Sequence, residues 1–169
     1  MTDRGRLETL DRQGCLDLLR TVTVGRLAWA DRDERIQVRP VNFTLDSTLG
    51  TACVLVRCGD GEMLAAARDG RPFSFEADQI EPALRGGWSV LVVTDGVEIS
   101  TTISTAVSTT ISTAGTGDTA DADLPEPWAA GERPHVLRLA TGHGATITGR
   151  WLRLAGGDIS VVRVEPEPD

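Results

Sequence analysis

The order of apolar and polar positions divides this chain into short elements. Asp11 to Arg20 carries Cys15, Leu16 and Leu19 at helical spacing, with Asp11 placed to cap the first turn. Gly25, Leu27 and Trp29 then alternate with Arg26 and Ala28. Ile36, Val38 and Val41 resume after the polar cluster Asp31 to Arg35, which predicts a hairpin. A second polar break at Asp46 to Gly50 precedes a strand over Ala52 to Arg57, after which Gly59-Asp60-Gly61 turns the chain into a helix over Glu62 to Arg68. Phe73 and Phe75 alternate with Ser74 and Glu76, and Trp88 to Val93 is apolar on both faces, as in a strand covered from two sides. His135 to Leu139, Ile147 to Leu154 and Ile159 to Val164 are three further alternating runs.

Many short strands and few helices predict a mainly β chain with a few short helices, closed as a small barrel or sandwich. Most connections are too short for the helical crossovers of a parallel dinucleotide-binding sheet. One segment departs from this pattern. Ile-Ser-Thr-Thr-Ile-Ser-Thr-Ala at Ile99 to Ala106 is repeated as Val-Ser-Thr-Thr-Ile-Ser-Thr-Ala at Val107 to Ala114. Its Ser, Thr and Ile density disfavours a helix. The expectation is one domain over residues 1–169 with an irregular or strand-like insert at about 99–119.

Composition narrows the functional classes. A chain of 169 residues with 40% hydrophobic positions can bury a core without metal or disulfide staples. Its net charge of −8, with no concentrated basic segment, argues against nucleic acid as a partner. Every basic residue apart from the two histidines is Arg, and Tyr is absent, which removes a catalytic lysine, a P-loop and a phenolic acid. Cys15, Cys53 and Cys58 with His135 and His143 are too scattered for a zinc site. An odd thiol count without a leader-like segment points to the cytoplasm, and the longest apolar run is too short for a membrane span. Cys53 and Cys58 have opposite parity on one strand and should not form a redox pair.

Several residues are candidates for chemistry. Arg57 ends a strand just before a glycine turn, where it reads as an anion site or, more readily on local features alone, as an arginine paired with Asp60 or left in solvent. Glu62 brings a negative charge to the same turn. Asn42, the chain's only Asn, follows Pro40 and Val41 and reads either as a hydrogen-bonding group for a planar heterocycle or as an edge-strand residue. Trp128, between Pro127 and Ala129, reads as a lid, a subunit contact or a plug at the barrel's end. Trp29 is assigned to the core. His135 has no acidic neighbour in the sequence, and no Gly-x-Ser-x-Gly elbow supports a hydrolase.

Read in order, Gly25-Arg26-Leu27-Ala28, Pro40-Val41-Asn42-Phe43, Arg57, Gly87-Trp88-Ser89-Val90-Leu91-Val92, Pro127-Trp128-Ala129 with Gly131, and Thr148-Gly149-Arg150 resemble the pyridoxamine 5'-phosphate oxidase-like family of flavin-binding split β-barrels. The resemblance implies a homodimer holding FMN at the subunit interface. Pro40, Val41 and Asn42 would line the isoalloxazine ring, Arg57 would hold the phosphate, and Trp88 would pack near the flavin or across the dimer. Related chains read Thr-Gly-x-Gly-Ser/Thr-Lys-Leu after the arginine, where this one has Cys58-Gly59-Asp60-Gly61-Glu62-Met63-Leu64. With Cys58, Glu62 and Met63 in that turn, weak FMN binding is the expectation. Without Lys or Tyr the chain also lacks the groups that the naming oxidase uses on its vitamin substrate.

The function this implies is a flavin-dependent reductase or oxidase of a small molecule, with hydride passing beneath Trp88 or Trp128. Two alternatives remain: a deazaflavin-dependent reductase, and a non-catalytic or degenerate flavin-binding member.

Overall fold

Among the described residues the chain forms nine strands and two helices, and every strand pairing is antiparallel. The computed structural model describes residues 6–47, 51–101, 124–142 and 145–153. The elements are β1 (Arg6–Leu10), α1 (Arg12–Leu19), β2 (Val24–Ala30), β3 (Ile36–Asp46), β4 (Cys53–Cys58), α2 (Glu62–Arg68), β5 (Phe73–Glu81), β6 (Gly86–Thr94), β7 (Glu98–Thr101), β8 (His135–Ala140) and β9 (Ala145–Arg153). The strand order is β1-β9-β6-β5-β2-β3-β4-β8-β7.

β3 joins the two halves of this split β-barrel. Its residues 36–42 bond to β2, and its residues 43–46 bond to β4. Between the halves lies one core, in which Leu27, Phe73, Phe75 and Val90 meet Val54, Val56, Leu137 and Leu139. Phe43 closes edge-on against Phe75, with ring centroids 4.7 Å apart. Helix α1 starts as the sequence predicts, with Asp11 Oδ1 accepting from the Gly14 amide at 2.7 Å. Gly149 lets α1 settle on β9, because a Cβ there would lie 2.5 Å from Cys15 Sγ.

Within one chain, β6 is covered on one face and β4 on both. β6 turns Trp88, Val90 and Val92 inward but leaves Leu91 and Val93 each 38% exposed. β4 is covered from both sides instead: Val54, Val56 and Cys58 join the main core, while Cys53 and Leu55 join Val136 in a second cluster against Leu124. Beside that cluster Arg138 donates to Asp46 at 2.6 Å, a buried ion pair with Glu98 3.6 Å away. Cys53 and Cys58 thus face opposite ways, as their parity predicts.

Strands β1 and β7 are absent from the alternation-based prediction. Of the duplicated segment, Ile99, Ser100 and Thr101 lie in β7, and 102–123 falls outside the described residues, as do His143 and the strand expected at Ile159 to Val164.

Candidate functional site

Pairing between β3 and β4 stops at Phe43 and Val56. The next residue on each strand, Asn42 and Arg57, flanks an opening instead of bonding across it. A cavity of about 330 Å³ occupies this parting. Its walls are Arg39 to Asn42 of β3, the end of β4 from Arg57, the turn Gly59 to Gly61, Glu62 and Met63 of α2, and the loop residues Pro125, Pro127, Ala129 and Arg133. Pro40, Val41, Asn42, Arg57, Cys58, Glu62 and Met63, which the sequence singles out, therefore meet in one place.

Trp88 does not join them. It is 5% exposed in the core, facing Trp151 across the β6–β9 pairing. Strand alternation points it inward, and β5 and β2 stand between β6 and the cavity. Within one chain, Trp88 therefore does not line the cavity. Trp128, by contrast, is 77% exposed at the cavity's rim, so it does not plug the barrel.

Arg57 is neither paired with Asp60 nor left free. Its Nε and Nη2 both donate to the carbonyl of Arg133, at 3.1 and 3.0 Å. The Arg133 guanidinium in turn donates to the carbonyls of Ala129, Ala130 and Gly131 at 2.9, 3.3 and 3.2 Å, which curls the loop around it. Asn42 Oδ1 accepts from the Trp128 amide at 3.0 Å, fastening the loop's other end. One lone pair of its acceptor is thereby engaged, and the amide NH₂ has no acceptor among the described residues.

The electrostatics favour an anion. Arg39, Arg57 and Arg133 all line the cavity, all donate to backbone carbonyls, and none meets a carboxylate among the described residues. Asp60 is occupied by His135 Nε2 at 3.2 Å, which corrects the expectation that this histidine lacks an acidic partner. Glu62 is the remaining negative charge on the wall.

Trp29 is the residue that sequence reasoning sent to the core alone. It stacks on Phe73 at 6.0 Å and is 4% exposed, yet it also lines the cavity, and its indole N–H finds no acceptor among the described residues. Among the described residues, Cys15, Cys53 and Cys58 are free and buried. Burial, with Asp60 adding to it, pushes Cys58 up to about 11, and burial also raises Cys53. Among the described residues no group of three His, Cys, Asp or Glu is placed to hold a metal.

The comparison with known families fits this geometry. The profile of the pyridoxamine 5'-phosphate oxidase family matches residues 11–151. The chain belongs to this family. No curated protein sequence matches it. Among solved structures of the same fold, a putative pyridoxamine 5'-phosphate oxidase from Corynebacterium glutamicum superposes with a TM-score of 0.60 at 23% identity, covering 88% of this chain and 100% of the other. An FAD-binding protein from Mycobacterium smegmatis gives 0.54 at 24% identity with the same coverage. One from Mesorhizobium loti gives 0.58 at 17% identity, covering 88% of this chain and 98% of its own. The split barrel is common to this family, and the cavity lies where β3 crosses between its halves.

Proposed function

We propose that this chain is a flavin-dependent oxidoreductase of a small molecule, with its flavin held in the cavity between β3 and β4 and a flavin phosphate against Arg57. The observation that carries this reading is the gathering of Arg39, Arg57 and Arg133, without carboxylate partners, in a chain of net charge −8. Uncompensated guanidiniums on one concave wall are an anion site by construction. Family membership and the FAD-binding relatives support the choice of a flavin as that anion.

The residues fit such a ligand. Pro40 and Val41 offer an apolar edge to a planar ring, and Asn42 and Trp29 offer N–H donors to its heteroatoms. A bound flavin supplies the hydride and electron chemistry. The protein's part is to orient the phosphate through Arg57, to close the rim with the 125–133 loop, and to keep the ring edge hydrogen-bonded. No side chain is assigned as an essential acid or base, because the cavity's acidic groups, Asp60 and Glu62, belong to its phosphate end.

A homodimer is part of the proposal. The outer face of the β2-β3-β5-β6 half exposes Ile36 by 72%, Val38 by 49%, and Leu91 and Val93 by 38% each, a surface apolar enough to associate. Cys15, Cys53 and Cys58 are all free and buried, which supports a cytoplasmic setting. No helix among the described residues is long and apolar enough to cross a membrane. The same arginines also suit the anionic tail of a deazaflavin, the second reading. Titration of the purified protein with FMN and with a deazaflavin, followed by tryptophan quenching, separates the two. Saturable binding of FMN alone supports the first, and binding of the deazaflavin alone overturns it.

A further inference from the structure

Resting on the flavin reading above, the cavity still holds a guanidinium that a phosphate at Arg57 does not reach. Pairing of β3 with β4 ends at Phe43 and Val56, which sets Arg57 opposite Asn42 where the two strands begin to part. Arg133 is tied to Arg57 through its carbonyl, so both belong to the phosphate end. Arg39 does not. It lies three residues beyond Asn42, in the part of β3 that pairs with β2 and no longer with β4, about 10 Å away along a strand that rises roughly 3.3 Å per residue.

Arg39 is exposed, commits Nη1 to the Val38 carbonyl at 3.1 Å, and meets no carboxylate among the described residues. Its Nε and Nη2 remain, the guanidinium edge that takes both oxygens of a carboxylate. A phosphate group has a third oxygen that this one edge leaves unmet.

Trp128 marks the same mouth. Pro127 and Ala129 on either side of it line the cavity, and its amide donates to Asn42 Oδ1 at 3.0 Å, yet its indole is 77% exposed. Trp29 and Trp88 are only 4% and 5% exposed. The backbone that carries the exposed ring is braced on both sides, by Asn42 and by the Arg133 guanidinium on the carbonyls of Ala129, Ala130 and Gly131, and Pro127 fixes φ directly ahead of it. A flat ring on a fixed mount loses little freedom when a ligand packs on it, and another flat ring packs on it best.

We propose that the mouth of this cavity takes a planar aromatic carboxylate as substrate, its acid group on the Nε and Nη2 edge of Arg39 and its ring on the Trp128 indole. Arg39 selects charge, and Trp128 selects shape.

The test is calorimetric titration of the purified full-length protein, saturated with FMN, with benzoate, benzamide, cyclohexanecarboxylate and phenyl phosphate. Benzoate should bind at least about tenfold tighter than benzamide, which lacks the charge, and about fivefold tighter than cyclohexanecarboxylate, which lacks the flat ring. Phenyl phosphate should bind no tighter than benzoate. Arg39→Gln should erase the preference for acid over amide and keep that for the flat ring, and Trp128→Leu should do the reverse. Both residues are exposed, so both variants should melt as wild type does. No benzoate binding, a preference that survives its own variant, tighter binding of phenyl phosphate, or benzoate displacing FMN overturns the inference and leaves the flavin reading standing. Failure of FMN to bind overturns the flavin reading, and the inference with it.

Discussion

Arg57 grips the main-chain carbonyl of Arg133 with two of its nitrogens, at 3.1 and 3.0 Å, across 76 residues of sequence. This contact joins the end of β4 to the loop that rims the cavity. Arg133 completes the arrangement by holding three carbonyls of its own loop.

Arg133→Ala removes those three exposed hydrogen bonds and one cavity charge. Flavin phosphate binding should weaken about tenfold, while unfolding free energy falls by only about 1 kcal/mol, because exposed bonds contribute little net stability. Chemical denaturation alongside FMN titration checks both. A stability loss as large as the binding loss would mean that Arg133 is structural.

Trp29→Phe keeps an aromatic ring against Phe73 but deletes the unpartnered N–H. Stability should stay within about 1 kcal/mol of wild type, since the lost packing is offset by removal of an unsatisfied buried donor. FMN and riboflavin should both bind about fivefold more weakly, the weight of one ordinary hydrogen bond to the part they share. Unchanged affinity for both would show that the indole serves the core only.

Asp46→Asn leaves Arg138 buried without its charge partner. Breaking such a pair should cost about 3 kcal/mol, measured by denaturant unfolding. A loss below about 1 kcal/mol would mean that Glu98, at 3.6 Å, takes over as the counter-ion.

Glu76 lies on the outer sheet face between Arg26 and Asp78. Burial, reinforced by Asp78, raises its carboxyl above the usual value of 4.5 despite the hydrogen bond from Arg26. A folded-state value above the unfolded one means that the stability it contributes is fully present below pH 4.5 and is lost as pH rises through the folded value. Glu76→Gln should therefore melt at a higher temperature than wild type at pH 7, with the gap closing towards pH 4.5. A gap that widens on acidification would reverse the sign of this argument.

The legible parts of this molecule were those where local pattern and tertiary structure agree. Period-two alternation located β2, β3 and β4, and Asp11 marked the start of α1, because a capping carboxylate acts within one turn. Pro40 to Asn42 and Arg57 to Met63 were found as site residues by resemblance, and the fold brings them together where two strands part. What escaped the sequence depends on register between distant segments. The two faces of β4 are covered because the β2, β5 and β6 side chains pack on one and Leu124 on the other, which no pattern within Cys53–Cys58 reveals. His135 meets Asp60 across 75 residues, and Arg133 joins the cavity only because Arg57 captures its carbonyl. Trp88 sits amid family-like residues, yet strand order places it two strands from the site. Trp29 shows the opposite case, a core residue whose ring edge reaches the cavity.

The central claim is that Arg57 anchors a flavin phosphate, and riboflavin against FMN tests it most directly, because the two ligands differ only in that phosphate. Dissociation constants for both should be measured by fluorescence titration in wild type and in Arg57→Ala. Wild type should prefer FMN by at least about tenfold, as one charge-assisted contact allows, and Arg57→Ala should erase that preference while riboflavin changes little. Equal affinities in wild type, or a preference for FMN that survives Arg57→Ala, would contradict the account.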